Sequence, residues 1–261
     1  ALNEAGLPDT AVQVISGSHE EIGELLQLEE YIDLVIPRGG KNLIKSVSET
    51  SRIPVIKHYE GICHVYLDGG CDLDAGLSIA IDGKCLMPEV CNATETLLVH
   101  SSLEPELERI VSGFQVHGVE VRGCERTCAA VPGVKPAAEE DWRTEYLDMI
   151  ISIRMVENVD AAIEHVNKYG SHHTDVIVSD SVTRAQSFVD RVDSGVVLVN
   201  ASTMFCDGES LGMGAEIGIS TDKLHARGPM GLRELTTYKF TIWGSNTVMG
   251  TPAAYSHSSD S

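Results

Sequence analysis

The stretch VCNATETLLVH, residues 90–100, joins a cysteine to a run of residues typical of a buried β-strand. Pro88 precedes it and forces an extended or turning approach, and several of the residues that follow are β-branched and favour a strand. The stretch therefore predicts Cys91 at the start of a strand, with Asn92 beside it. A thiol held at the rigid edge of a sheet suits a nucleophile, although a cysteine in an apolar setting is more often a small core residue.

Strand and helix patterns alternate on both sides of this stretch. Apolar and β-branched runs predict strands at residues 12–15, 32–36, 54–57, 61–68, 118–122, 149–156, 176–178 and 195–200. Apolar residues at helical spacing predict helices at residues 20–28, 41–49, 72–85, 103–114, 159–169 and 182–192. This rhythm predicts an α/β chain built on doubly wound parallel sheets.

The composition limits the partners that the chain can have. Of its 261 residues 39 are acidic and 19 basic, so the formal charge of −20 repels nucleic acid and anionic membranes. No apolar run reaches the length of a membrane span and no signal peptide opens the chain, so we expect a soluble, cytoplasmic protein. The seven cysteines at irregular spacing indicate a reducing compartment rather than a disulfide framework.

Three groups of residues contain the side chains that bind metals. They are Cys124 with Cys128, His58 with Cys63 and His64, and the pair His172 and His173. No second ligand pair follows Cys128 at a suitable spacing. Polar residues at strand ends and turns are the more common explanation for each group, so we expect no metal site.

Further blocks of sequence accompany CNATETLLVH. They are IDLVIPRGGKNLI (32–44), IPVIKHYEGICHVYLD (53–68), GSHHTDVIVSD (170–180), VNASTMFCDG (199–208) and GMGAEIGISTDKLHARGPMGLRELTTYK (212–239). Together they closely resemble the blocks of the gamma-glutamyl phosphate reductases, in the same order and over nearly all of residues 1–240. The resemblance also places the chain in the aldehyde dehydrogenase superfamily, and it implies an aldehyde-dehydrogenase-like fold with a cofactor domain and a catalytic domain.

The resemblance also implies how the chain is divided. The implied parts are the remainder of an NADP-binding domain at residues 1–68, a catalytic domain at 69–220, a closing segment at 221–249 and a disordered tail at 250–261. A strand predicted at residues 235–243 is expected to pair across a subunit boundary, which implies a homo-oligomer. Residues 1–8 read as the end of a helix without its start, so we expect the C-terminal part of a longer reductase.

The implied reaction is the second step of proline biosynthesis, the NADPH-dependent reduction of L-glutamyl 5-phosphate to L-glutamate 5-semialdehyde with release of phosphate. Cys91 is implied to attack the acyl phosphate and to carry a thioester that hydride then reduces. The thiolate needs a lowered pKa, which we expect from backbone amides near its turn. The amide of Cys91 or Asn92 is one expected donor to the developing oxyanion.

Two parts of the sequence are expected to hold NADPH. Arg38, Gly39 and Gly40 lie in a turn between a strand and a helix, where glycines let a ligand approach and a helix N-terminus favours an anion. Spacing alone indicates a plain tight turn there, and the resemblance favours cofactor contact. Glu145 matches the glutamate that holds the nicotinamide ribose in the superfamily, although by spacing alone it would be a solvent-exposed charge at the start of a strand.

The substrate is expected to meet residues near strand ends and in the closing segment. Those predicted to bind it, besides Arg227, are Asn92, Asn200, Ser202 and Thr203. Arg227 is a cation for a phosphate or carboxylate, and a structural ion pair explains it equally well. Met204 stands where the family has an arginine, and methionine cannot pair with an acidic substrate.

Three alternatives remain for the activity. The chain is a working reductase, alone or as the reductase part of a bifunctional pyrroline-5-carboxylate synthase, with glutamate 5-kinase as a possible partner or fused domain. Alternatively it is an acylating dehydrogenase that uses a CoA thioester, which the proline-pathway blocks oppose. The third alternative is a truncated, catalytically incompetent remnant, which Met204 favours.

Overall fold

The centre of the molecule is a seven-stranded parallel sheet. In the computed structural model, which describes residues 2–224 and 226–250, its strands are β1 (Cys63–Leu67), β2 (Thr94–His100), β3 (Glu120–Gly123), β4 (Lys135–Pro136), β5 (Ile150–Val156), β6 (Thr174–Val178) and β7 (Val196–Val199). They lie in the order β4-β3-β5-β2-β1-β6-β7, and each neighbouring pair is parallel. The strand that follows Cys91 is therefore in the middle of the sheet.

Helices cover both faces of this sheet. α3 (Leu73–Cys85), α4 (Leu107–Gln115) and α5 (Glu125–Ala130) pack on one face, and α6 (Val159–Tyr169) and α7 (Val182–Arg191) on the other. Two further helices, α1 (His19–Leu25) and α2 (Lys41–Thr50), precede the sheet in the chain. Polar side chains cap the crossover helices, as Asp72 does at α3, Asn158 at α6 and Ser181 at α7. The predicted alternation of strand and helix is confirmed from residue 63 to residue 199, except that α5 and β4 lie in a stretch for which no helix or strand was predicted.

Alternate residues of the central strands belong to different cores. Val65 and Leu67 of β1 share one core with Phe114 of α4. Tyr66 shares the other core with Phe188 of α7, and their rings stack with centroids 6.3 Å apart. Because helices cover both faces, successive residues are apolar in runs such as 65–67 of β1 and 97–99 of β2, which is the pattern of a doubly wound sheet.

The predicted cofactor segment, residues 2–62, is most of the cofactor domain predicted at residues 1–68, and it contains much less regular structure. Its strand pairing consists of one parallel bridge between Val35 and Val55. The strand predicted at residues 12–15 is wrong, because this stretch pairs with no strand among the described residues and its apolar side chains are exposed. The division of the chain at residue 68 stays a prediction.

The closing segment folds back onto the cofactor segment. β8 (Gly218–Ser220) and β9 (Gly228–Met230) form an antiparallel pair, and Met230 packs against Ile56. The strand predicted at residues 235–243 is absent from the described chain, where Trp243 is 93% exposed. His225 and residues 251–261, which include most of the predicted disordered tail, lie outside the described residues. Within the described part no helix is both long and apolar enough to cross a membrane.

Candidate active site

Cys91 lies in a turn at the N-terminal edge of the sheet, three residues before β2 begins. Its carbonyl oxygen accepts a hydrogen bond from the Cys63 thiol at 3.3 Å. Gly61 lies directly against the same carbonyl, since a Cβ atom at this glycine would overlap it. A close backbone approach of this kind requires glycine, and it fixes the Cys91 turn against the entry to β1.

A cavity of about 340 Å³ brings together the four residues predicted to hold the cofactor. Arg38, Gly39 and Gly40 form one side of it and Glu145 another, although more than 100 residues separate them in the chain. The remaining lining residues are Pro37, Lys41, Ile44, His58, Tyr59, Glu60 and Leu147. The turn before α2 therefore faces the predicted ribose-binding glutamate.

The N-terminus of α2 opens into this cavity. Gly40 is the N-cap of the helix, and no side chain caps the free N–H groups of the first turn. Gly39 has φ +150°, in the range that favours glycine. The helix has ten residues, its N-terminus has no side-chain cap, and two glycines precede it. Such an N-terminus suits a phosphate or a ribose hydroxyl.

Glu145 is fixed on one side and free on the other. The Gly61 N–H donates to Glu145 Oε1 at 2.7 Å, and Oε2 has no hydrogen-bond partner among the described residues. Burial raises the pKa of this carboxyl group. Gly61 thus contacts both Glu145 and the backbone of Cys91, and it joins the cavity to the Cys91 turn.

Arg38 closes the cavity from the side of the closing segment. Its guanidinium donates to the Ile217 carbonyl and lies against Gly218, whose φ of +134° and missing side chain leave room for it. The arginine is therefore oriented by the chain leading into β8. Lys41, the other cation of the cavity, pairs with Glu60 at 2.7 Å.

The environment of Cys91 favours the protonated thiol over the thiolate. Burial raises the pKa of Cys91 to about 11, and the carboxylates of Glu145 and Glu216 act in the same direction. The backbone amide of Cys91 and the Arg38 guanidinium lower this pKa by less. The backbone amide therefore acts in the expected direction, but the expectation of a lowered thiol pKa is wrong for this structure.

Three of the predicted substrate residues lie next to the Cys91 turn, but they bond to one another or to the local backbone. Asn92 Nδ2 donates to the carbonyl oxygens of Thr203 and Cys206, each at 3.3 Å. Ser202 Oγ accepts from the Met204 N–H at 3.2 Å. These bonds hold residues 202–206 against the strand that carries the cysteine.

The other two predicted substrate residues are not brought to Cys91. Asn200 lies at the C-terminal ends of β6 and β7, at the opposite edge of the sheet, and its amide bonds both backbone groups of Ser179. Arg227 donates to the carbonyl and the carboxylate of Asp193, at 3.0 and 2.8 Å. Of the two explanations for Arg227, the structure contains the ion pair.

Two residues of the site were missed in the sequence. Gly61 carried a usable signal, since a glycine at the start of a strand often marks a close backbone approach. Glu216, which acts on Cys91, gave no local signal because 125 residues separate the two. Across the part of the chain that the structure describes, no three His, Cys, Asp or Glu residues are grouped so that they could hold a metal ion.

Known proteins resemble this chain in sequence. The model of the aldehyde dehydrogenase family matches residues 1–117. The gamma-glutamyl phosphate reductase of Desulfatibacillum aliphaticivorans is 51% identical over 250 residues, which are 95% of this chain and 60% of that protein. The enzyme of the same name from Caldanaerobacter subterraneus subsp. tengcongensis is 49% identical with the same coverage.

A solved structure extends the likeness to three dimensions. The crystal structure of gamma-glutamyl phosphate reductase from Thermotoga maritima matches with a TM-score of 0.92 at 47% identity, over 95% of this chain and 61% of that one. The chain therefore has the fold of the aldehyde dehydrogenase class. Within that class, the predicted resemblance to gamma-glutamyl phosphate reductases is confirmed. The chain spans about 60% of the length of these relatives.

Proposed function

We propose that this chain carries the catalytic cysteine of an NADPH-dependent reductase that converts L-glutamyl 5-phosphate to L-glutamate 5-semialdehyde and phosphate, the second step of proline biosynthesis. The observation that carries the proposal is the junction at Gly61, where the Cys91 turn meets the cavity that holds Arg38, Gly39, Gly40 and Glu145. Identities of 47–51% to proteins named gamma-glutamyl phosphate reductase support the substrate.

The cavity residues fit one end of a nicotinamide dinucleotide. The uncapped first turn of α2 offers N–H donors, Gly39 and Gly40 allow close approach, and Glu145 Oε2 is free to accept from a ribose hydroxyl. A volume of about 340 Å³ is at the lower end for a ligand site, so this cavity suits the reactive end rather than the whole cofactor. When bound, the cofactor supplies the hydride of the reaction.

Cys91 is the proposed nucleophile. Its sulfur attacks the acyl carbon, the bond from that carbon to the phosphate oxygen breaks, and inorganic phosphate leaves with the electron pair. After reduction of the thioester, the carbon–sulfur bond breaks, and the aldehyde departs while the thiolate is restored. The Asn92 N–H, which has no acceptor among the described residues, is a candidate donor to the oxyanion.

The thiol proton must leave for this attack, because the Cys91 pKa of about 11 keeps the free site protonated at neutral pH. Glu145 and Glu216 are the carboxylates whose charges act on the thiol. We assign the proton to one of them, since a base beside the nucleophile is the usual means of activating it.

The second candidate is a folded chain without turnover. Met204 supports it, since this side chain provides no charge for an acidic substrate, and Arg227 is already paired with Asp193. A bifunctional pyrroline-5-carboxylate synthase, with glutamate 5-kinase as a partner or fused domain, is a further form of the first proposal. Its support is the shared resemblance alone.

The reverse reaction tests the proposal. We expect phosphate-dependent reduction of NADP by glutamate semialdehyde, and we expect Cys91→Ser to abolish it while NADPH binding is kept. We also expect Met204→Arg to lower the KM for the semialdehyde by roughly tenfold, the value of one charge-assisted hydrogen bond. Turnover that survives in Cys91→Ser would rule out the thioester. No turnover in wild type or Met204→Arg, with a native circular dichroism spectrum, would favour the remnant.

We further propose that the chain forms a homo-oligomer in the cytoplasm. Its support is the closing segment, where Tyr238, Phe240, Ile242 and Trp243 are all more than 80% exposed. The seven free cysteines support a reducing compartment.

A further inference from the structure

Two oppositely charged side chains are completely buried beside the Cys91 turn. Lys84, near the end of α3, and Glu95, the second residue of β2, each have 0% exposure, and Lys84 Nζ lies 2.6 Å from Glu95 Oε2. An ion pair at such a depth contributes little to stability compared with apolar residues of the same size. Its presence therefore calls for a role other than stability.

The second carboxylate oxygen of Glu95 provides that role. Glu95 Oε1 accepts a hydrogen bond from the backbone N–H of Leu147 at 3.3 Å. Leu147 lines the same cavity as Glu145, two residues earlier in the chain. Its φ is +53°, a left-handed conformation that a leucine adopts only at a conformational cost. Something must hold this turn in place, and the bond to Glu95 does so.

We propose that Glu95, held by Lys84, is a positioning residue that fixes the turn from Glu145 to Leu147 against β2, the strand that follows Cys91. Glu95 stands four residues after Cys91 in the same segment. One carboxylate thus connects the nucleophile strand, helix α3 and the wall of the cavity. The inference rests on the proposed function, because the separation that it fixes is the one between the thiol and the bound end of the cofactor.

The chemistry of the site explains why residue 95 is a carboxylate. Both of its neighbours, the Lys84 ammonium and the Leu147 N–H, are donors, so both oxygens must accept. A glutamine would turn its NH₂ group toward one of these donors. An aliphatic residue would leave both donors without a partner. A matched comparison therefore has to remove the lysine charge first.

Two double variants make that comparison. Lys84→Met with Glu95→Gln removes both charges and keeps one carbonyl oxygen that can accept from the Leu147 N–H. Lys84→Met with Glu95→Leu removes both charges and this acceptor. Both variants bury an uncharged pair, and they differ mainly in whether residue 95 has an acceptor. A thermal unfolding measurement checks that both are folded.

The first measurement is hydrogen exchange, followed by mass spectrometry, on a peptide covering residues 144–149 in the full 261-residue chain. We expect exchange at Leu147 to be faster in the Leu variant than in the Gln variant by roughly threefold to tenfold, the value of one hydrogen bond. Equal exchange in the two variants would overturn the inference. This readout needs no cofactor and no activity.

The second measurement is NADPH binding followed by cofactor fluorescence. We expect the dissociation constant of the Leu variant to exceed that of the Gln variant by roughly the same threefold to tenfold, while Cys91 alkylation is equal in both. Equal dissociation constants would overturn the positioning role. A wild-type chain that binds no NADPH would contradict the cofactor assignment of the proposed function, and hydrogen exchange would then still decide whether Glu95 holds the turn.

Discussion

The seven-stranded sheet and the predicted cofactor segment contain similar apolar and β-branched runs, but these runs form paired, buried strands only in the sheet. In the sheet, β-branched and apolar runs have parallel neighbours on both sides and helices above and below, so residues such as Val65 and Leu97 are completely buried. In the cofactor segment an equally β-prone run at residues 12–15 is exposed, and Val35 pairs with Val55 through one bridge. The difference teaches that strand formation depends on available partners more than on the run itself.

Matched truncations should expose this contrast most strongly. We expect Phe114→Ala, in the core of the sheet, to lower the free energy of unfolding by about 3–5 kcal/mol because it leaves a cavity. Ile15→Ala, at a side chain that is 66% exposed, should change it by less than about 0.5 kcal/mol. Urea denaturation measures both. Similar losses in the two variants would mean that the cofactor segment is packed as tightly as the sheet.

Gly61→Ala should break the junction between the two regions. The new Cβ would overlap the Cys91 carbonyl oxygen, so the turn must move and carry the thiol away from the cavity. We expect a loss of roughly 100-fold in the turnover of the reverse reaction, since a displacement of about 1 Å has that effect on a reacting group. The unfolding temperature should change little by comparison. Unchanged turnover would show that the position of the Cys91 backbone does not matter.

The alkylation of Cys91 by iodoacetamide should follow its raised pKa. Since thiolate is the reacting form, the rate should rise about tenfold for each pH unit up to pH 11. Glu145→Gln removes a negative charge that favours the thiol, so it should lower the pKa and speed alkylation at pH 8 by roughly threefold to tenfold. Mass spectrometry resolves the modified residues.

Cys124 is the internal control for that experiment. Burial raises its pKa, but hydrogen bonds from the Met155 N–H and from Thr127 outweigh burial, so its pKa is lower than usual. It should react faster than Cys91 at neutral pH and show no response to Glu145→Gln. Rapid alkylation of Cys91 at pH 7 would contradict the half-buried, protonated thiol described above.

The smallest effect on folding is expected in the exposed closing segment. Trp243→Ser should leave the free energy of unfolding within about 0.5 kcal/mol of wild type, because the side chain is 93% exposed in the single chain. If this segment pairs between subunits, the same substitution should shift the protein toward monomer in sedimentation velocity. Wild-type protein that sediments as a monomer at every concentration would contradict the proposed homo-oligomer.

The sequence predicted the regular elements of the sheet because their signals are local. Apolar runs, helical spacing and the Ser181 cap each lie within a few residues, and the elements from residue 63 to residue 199 other than α5 and β4 were predicted on that basis. The runs at residues 12–15 and 235–243 have the same local composition. They fail as strands because pairing is a property of neighbours that no local pattern contains.

Site residues that are contiguous in the sequence were correctly predicted to lie together. The prediction failed where it depended on knowing at which end of a strand a residue lies. Arg38, Gly39 and Gly40 follow one another, and the family resemblance added Glu145 across the cavity. Asn200 was grouped with Cys91 although one follows a strand and the other precedes a strand. In a parallel sheet these positions lie at opposite edges.

The raised thiol pKa could not be read from the sequence. It depends on how deeply Cys91 is buried and on carboxylates at residues 145 and 216, both of which are properties of the folded chain. The contact between Gly61 and Cys91 is of the same kind. Its glycine was visible, but the partner was 30 residues away.

The buried Lys84–Glu95 pair has a consequence for strand register during folding. Leu97, Leu98 and Val99 are all apolar and fully buried, so a β2 strand shifted by one residue would still present apolar side chains to both helical layers. The same shift would turn Glu95 to the other face of the sheet, away from Lys84, and leave two uncompensated charges in the interior. Breaking such a pair costs about 3–5 kcal/mol, so the one charged pair distinguishes registers that the apolar pattern leaves nearly equal.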